Sequence, residues 1–396
     1  MMKKKDESNA LRALDHFNVE LPSWGFSDTG TRFGVFKQDG AAIDTNDKLQ
    51  DAAQVHKLTG ACPTVAVHVL WDFPNGAKDA SAMRKAASEQ GIKIGAINPN
   101  VFQNQEYKFG SFANPDPDIR QRALNHVYES IRIGQATESR DISLWFADGI
   151  NYPGQDNLAG RKQRMTDGLK KVHKKLATDQ QMLVEYKPFE PAFYATDIAD
   201  WGMAYIYAKS AGKRAKVLVD TGHHYLAQNI EQIVAWLLDE DMLGGFHFND
   251  RRYADDDLTL GSIDPYQIFR IFYEIHTHAH VRGEYPDIGY MVDQTHNLKP
   301  KVEAMVQTVM MAQELWVKAA LVDHKAVSAC QEKTDLTAAE RHLQEAFFTD
   351  VKPLLSKWRQ KNGIPEDPLA ELRRSKYIDQ TSRERAKRRK ELGLSE

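Results

Sequence analysis

The stretch AKVLVDTGHHYLAQNIEQIVAWLLDEDMLGGFHFND, Ala215 to Asp250, decides the fold. It opens on a β-branched apolar run, AKVLVDT (215–221), and turns through Gly222, His223 and His224. In NIEQIVAWLLDE (229–240) the apolar positions then recur at helical spacing. It closes on a second apolar run, LGGFHFN (243–249). A strand, a crossover helix and a second strand make a parallel pair, because only a helix-length connection returns the chain to run in the same direction.

The same rhythm continues outward in both directions. Further strands are expected at RFGVF (32–36), TVAVHVL (64–70), IKIGAIN (92–98), DISLWFA (141–147), QMLVEYK (181–187) and DIGYMVD (287–293). Amphipathic helices are expected between them at 46–60, 79–91, 118–136, 158–177, 195–212 and 264–279. Eight strands alternating with helices predict an α/β fold of the closed (β/α)8 TIM barrel type, with additional C-terminal helices. No G-x-G-x-x-G or P-loop follows an early strand, which argues against an open doubly wound sheet. The expected organisation is an N-terminal extension (1–30), the barrel (31–325) and a C-terminal helical extension (326–396). In the extension, 299–328 reads as one long helix. A second runs over 334–363, with Thr334 or Thr337 as cap. The basic end, 373–396, reads as a solvated or subunit-packing helical tail rather than a nucleic-acid arm.

Composition excludes several classes. A formal charge of −3 gives no global attraction to nucleic acid or a membrane surface. No run approaches the ~20 apolar residues of a membrane span. The start, MMKKKDESNALRALD, is basic without an apolar run behind it and does not read as a signal peptide. The two cysteines, Cys62 and Cys330, lack zinc-site spacing and read as reduced thiols of a cytoplasmic protein.

Chemistry in such a barrel belongs at the C-terminal ends of the strands, and polar residues collect there. The fifth strand ends with Glu185 and Lys187, the sixth with Asp220 followed by His223 and His224, the seventh carries His247, and the eighth ends with Asp293. Each has an ordinary alternative, such as helix capping for Asp220 or a satisfied core imidazole for His247. Together, three carboxylates converging on one mouth repel one another unless a cation balances them. Oxygen ligands with an imidazole suit Mn²⁺, Mg²⁺, Co²⁺ or Zn²⁺. Past the seventh strand, FHFNDRRYADDDLTLG (246–261) adds Asp250, Asp255, Asp256 and Asp257. A second cation would take His223, Asp255 and Asp257, with Asp220 bridging. Asp256 reads as solvent-facing, Asp250 as ligand support or loop structure, and His224 as a neighbour rather than a ligand.

These residues resemble a known family. VEYKPFEP (184–191), VDTGHH (219–224), FHFNDRRYADDDL (246–258) and Asp293 are similar to the bacterial L-rhamnose isomerases of the Pseudomonas type, relatives of xylose isomerase. GACPTVAVHVLWDFPNG (60–76) and GAINPNVFQNQEYKFGSF (95–112) extend the likeness over most of the chain. The resemblance implies an aldose–ketose isomerase with two divalent cations, Mn²⁺ foremost. Glu185, Asp220, His247 and Asp293 would hold the structural ion, and Asp220, His223, Asp255 and Asp257 the catalytic one. Lys187 would sit beside the reacting oxygen. His68 and Trp71 would contact the sugar, Asp72 would orient His68 or shape its pocket, and Trp145 would wall the site. Phe33 resembles a residue lent to a neighbouring subunit, and the implied assembly is a cytoplasmic homotetramer. The hydrogen would move by a metal-assisted hydride shift or through an enediol, with Asp293 as the carboxylate that carries the proton.

Three other readings compete. A ketose 3-epimerase on a related barrel would need one metal and leave His223, Asp255 and Asp257 without a task. A metal-dependent phosphodiester nuclease would show a basic surface near the site, whereas the loops here are acidic. A non-enzymatic assembly barrel would tolerate loss of Lys187 or Asp293.

Overall fold

The computed structural model describes residues 4–31, 34–189, 194–252 and 255–394. Eight parallel strands close into a barrel in chain order: β1 (Val19–Pro22), β2 (Thr64–His68), β3 (Lys93–Asn98), β4 (Asp141–Leu144), β5 (Gln181–Glu185), β6 (Ala215–Asp220), β7 (Leu243–Phe248) and β8 (Gly289–Val292). Closure is made by β1, which pairs with β2 through Glu20↔Thr64 and with β8 through Val19↔Tyr290. The fold is a (β/α)8 TIM barrel with C-terminal helices. No helix among the described residues is long and apolar enough to cross a membrane.

Side-chain alternation divides each strand between two apolar layers. Val184, Val217, Val219, Phe246, Phe248, Tyr290 and Val292 point outward into the core between strands and helices. Ala66, Ala96, Leu183, Leu218 and Met291 fill the interior, with Trp24 packed against them. Continuing the inward set one step past each of these positions reaches His68, Asn98, Glu185, Asp220 and Asp293. The barrel pattern itself therefore aims these polar groups into the mouth.

The structure corrects the first strand. Thr29–Thr31 and Gly34–Phe36 form a separate antiparallel pair, and Gly34, Val35 and Phe36 are all exposed. Gly34–Phe36 has strand-forming residues but no face to bury, so it pairs outside the barrel; the expected run's Arg32 and Phe33 lie outside the described residues. The true first strand, VELP, lies within the stretch expected to precede the barrel. Glu20 and Pro22 disguise it. Glu20 points inward, where Ala96 N–H donates to its carboxylate at 2.9 Å. Gly95 makes the room: a Cβ there would lie 1.6 Å from the Glu20 Oε2.

The C-terminal helices are also divided differently. The expected 299–328 helix is two, Lys301–Ala320 and His324–Glu332, with Asp323 accepting from Ala326 N–H to cap the second. The expected 334–363 helix is Leu336–Phe347 and Lys352–Lys361, with Pro353 in the first turn of the latter. Its cap is Asp335, while Thr334 adopts a left-handed φ of 57°. The basic tail is a helix with one solvated face, and its other face is packed. Helix Tyr377–Glu391 lies on its own chain, where Arg385 grips Asp51 at 2.7 and 2.9 Å and Arg389 pairs with Asp28 at 2.7 Å.

Candidate active site

Glu185 is the last residue of β5 and is buried. Asp220 ends β6 and is fully buried. Its Oδ1 accepts from Gly222 N–H at 2.7 Å and from Asn249 Nδ2 at 3.0 Å, while Oδ2 has no hydrogen-bond partner among the described residues. Position 222 requires glycine because a Cβ would meet the Asn249 side chain at 2.7 Å. His247, opposite Asp220 in the β6–β7 register, turns Nδ1 toward three carboxylates. It lies 3.3 Å from Glu185, 3.7 Å from Asp293 and 3.8 Å from Asp220. Asp293 follows β8, and its Oδ1 accepts from Trp24 Nε1 at 2.8 Å.

His223 is oriented by the backbone. Its Nδ1 lies 2.9 Å from the Tyr186 carbonyl, so Nδ1–H donates there and Nε2 turns into the cluster. That nitrogen faces Asp255 Oδ1 at 3.4 Å and Asp220 Oδ2 at 3.8 Å. Lys187 Nζ pairs with Asp255 Oδ2 at 2.5 Å and stands 5.7 Å from the Trp145 ring centroid. Asp257 holds a left-handed φ of 46°, a strained backbone for a non-glycine residue beside a carboxylate cluster.

Two groups have ligand atoms within 4.8 Å of one another: Glu185, Asp220 and His223, and Asp220, His247 and Asp293. They share Asp220. The structure thus brings Glu185 near both imidazoles, where a single assignment to the His247 group was expected. Without a metal cation, Lys187 balances one carboxylate of the cluster, and the rest meet their charge by holding protons. Burial, with the neighbouring carboxylates, pushes Asp220 up to about 7. Burial lowers the imidazole pKa values, but Asp220 and Asp255 outweigh it and push His223 up to about 10. Glu185 likewise outweighs burial at His247, pushed up to about 9. Asp257 is raised well above the carboxylate range by burial and Asp255. Divalent cations fit this donor set: they would replace those protons, and Asp220 Oδ2 and Asp255 Oδ1, both without hydrogen-bond partners among the described residues, are aimed into the cluster.

The opposite side of the mouth is aromatic. The His68 ring lies 4.0 Å from Trp71 and 4.7 Å from Trp24 between centroids. Phe102 bridges this group to Trp145, 5.9 Å from His68 and 5.0 Å from Trp145. His68 Nδ1 and Trp145 Nε1 are buried without partners among the described residues. Burial pushes the His68 imidazole down to about 3, so it stays neutral. Asp72 acts on the backbone beside that ring. It accepts from the His68 backbone N–H at 2.9 Å, from Ser23 and from Lys48, and anchors the chain beneath. Asp250 is loop structure, receiving Ile263 and Asp264 N–H groups. Asp256 is exposed. Trp24 and Phe102 were not among the expected site residues. Trp24 precedes the stretch read as the first strand, and Phe102 lies just past the third strand, where an aromatic beside Trp71 was the available signal.

A closed parallel barrel with acid–imidazole groups and an aromatic wall at the C-terminal ends of its strands defines a TIM-barrel protein with a candidate metal centre at its mouth. Residues 59–305 match the model of the xylose isomerase-like TIM barrel family, and the chain belongs to that family. It is similar to a protein of Mesorhizobium japonicum described as "Probable sugar isomerase", with 41% identity covering 95% of this chain and 88% of the relative. Another relative of the same description, from Rhizobium meliloti, is 40% identical over 93% of this chain and 86% of its own length. A solved L-ribulose 3-epimerase superposes with a TM-score of 0.52 at 11% identity, covering 81% of this chain and 98% of that one, which is a likeness of fold.

Proposed function

We propose that this protein is a metal-dependent aldose–ketose isomerase interconverting L-rhamnose and L-rhamnulose. The broader part of the reading, a sugar isomerase, is supported by the family and by relatives of that description along nearly the whole chain. The observation that carries it is the pair of acid–imidazole groups sharing Asp220 at the barrel mouth. A one-metal epimerase would leave the group containing His223 without a task.

Glu185, Asp220, His247 and Asp293 would hold one ion, and Asp220, His223, Asp255 and Asp257 the other. When bound, divalent cations would stabilise negative charge on the two reacting oxygens and acidify bound water. Lys187 donates a hydrogen bond to the oxygen that becomes negative. Neutral His68 offers its partnerless nitrogen to a sugar hydroxyl, while Trp71, Phe102 and Trp145 cover the apolar face of the sugar and exclude water. The carbon-bound hydrogen passes either directly between C2 and C1 or by way of a carboxylate such as Asp293. Running the reaction in D₂O separates the two: heavy deuterium incorporation at C1 of the ketose excludes direct transfer.

The L-rhamnose assignment rests on the motifs at 184–191, 219–224 and 246–258. It is tested by assaying chelator-stripped protein on L-rhamnose and other aldoses with Mn²⁺, Co²⁺, Mg²⁺ or Zn²⁺ restored. Ketose formation from L-rhamnose supports it. Epimerisation of ketoses alone replaces it with the epimerase reading. A cytoplasmic homotetramer belongs to the same proposal and is checked by light scattering of the purified protein.

A further inference from the structure

The turn that carries His223 is held by a residue to which the chemistry above gives no part. Arg251 is buried, and its guanidinium donates to three carbonyls of that one turn. Nη1 reaches Thr221 O at 2.9 Å, Nε reaches His224 O at 2.9 Å, and Nη2 reaches Tyr225 O at 3.3 Å. A planar fork of fixed N–H directions can meet three carbonyls only if the turn holds one shape. The same residue opens the loop that leads to Asp255 and Asp257. That loop is itself pinned by the Asp250–Leu258 backbone exchange, 2.9 Å in both directions. On the far side of the turn, Tyr186 OH meets His224 Nε2 at 2.6 Å, and Tyr186 O receives His223 Nδ1–H. The buried set Tyr186, His224 and Arg251 thus ties together the chain segments following β5, β6 and β7.

We infer that Arg251 is a positioning residue that sets the register between the His223 turn and the Asp255–Asp257 loop, and so governs one of the two cation sites selectively. The inference rests on the two-cation reading. The other group depends on that turn only through the shared Asp220: Asp220 and His247 lie on strands, and Asp293 is fixed by Trp24. Loss of the fork should therefore separate the two affinities.

The test is calorimetric titration of Mn²⁺ into chelator-stripped wild-type protein, Arg251→Lys and Tyr186→Phe, with the melting temperature of each metal-free protein measured alongside. Wild type should take up two ions per chain. Arg251→Lys keeps a charge but loses the fork. It should bind one ion within about threefold of wild type and the other about 10–100-fold more weakly, the usual scale for a group that orients ligands. Tyr186→Phe, which removes only one hydroxyl, should shift the same site in the same direction by less. If Arg251→Lys does not fold, the Tyr186→Phe result decides. Two ions bound with equal weakening of both, or no weakening, overturns the inference and leaves the function standing. One ion or none in the wild type overturns the two-cation reading and this inference with it.

Discussion

Lys187 lies where two demands meet: its Nζ neutralises Asp255 at 2.5 Å and stands near the face of Trp145. An ammonium held between a carboxylate cluster and an aromatic wall is placed to follow charge onto a sugar oxygen. Replacing it, Lys187→Met, should lower kcat by about 10²–10³ with little change in KM, read by steady-state isomerisation at saturating Mn²⁺. Trp24→Phe removes the donor that fixes Asp293 while leaving an aromatic ring. It should cost about tenfold in activity or metal affinity, in keeping with groups that orient a ligand, and the metal titration reads it directly. The inward polar residues at the strand ends were legible in the sequence because period-two alternation puts Glu185, Asp220 and Asp293 in step with Leu183, Leu218 and Met291. Trp24 was not legible, since its role depends on a strand hidden behind Glu20 and Pro22. Neither was Arg251, whose partners are backbone carbonyls that no residue pattern announces.

Among the elements, seven strands and the helices between them could be read from apolar spacing, since each has one face against a core. The rest failed where a polar residue replaced the apolar signal or where spacing ran through a break. Helical periodicity continues across 299–328, but Leu321 to Asp323 fall outside both helices, and Asp323 restarts the chain by capping. The basic tail looked solvated because its partners, Asp28, Asp47 and Asp51, lie more than 300 residues earlier in sequence. Arg385 and Asp51 are both almost fully buried, 3% and 0% exposed at the side chain. Burial pushes Asp51 up even against the guanidinium beside it. Arg385→Ala would leave that carboxylate in the interior with the Tyr377 hydroxyl, 2.7 Å away, in place of a neutralising charge. It should destabilise the protein by about 3–5 kcal/mol in urea unfolding. The double variant Arg385→Ala with Asp51→Ala should lose less than the sum of the two single losses.

At the scale of the whole molecule, a barrel that gathers its carboxylates at one end is stabilised by whatever neutralises them. Chelation should lower the melting temperature, and Mn²⁺ should restore it; a site filled at a hundred times its Kd contributes about 2.7 kcal/mol. The interior holds a further carboxyl apart from that cluster. Glu20 faces inward from β1 into the notch left by Gly95, and burial pushes it up to about 7 from an ordinary value of 4.5, against the Ala96 N–H that favours its charged form. The sign follows from proton counting. Between pH 4.5 and 7 the folded chain keeps a proton that the unfolded chain has released, so Glu20 makes stability fall as pH rises through that window, and above it the loss is complete. Glu20→Gln keeps an acceptor for Ala96 and carries no charge. It should unfold at nearly the same urea concentration as wild type near pH 4.5 and be more stable by about 3 kcal/mol at pH 8. Effects of pH on other groups are common to both proteins and cancel in the difference. A gap between the two that stays constant from pH 4.5 to 8 would mean that Glu20 is charged in the folded barrel throughout, and that Ala96 and the surrounding polar groups solvate it as well as water does.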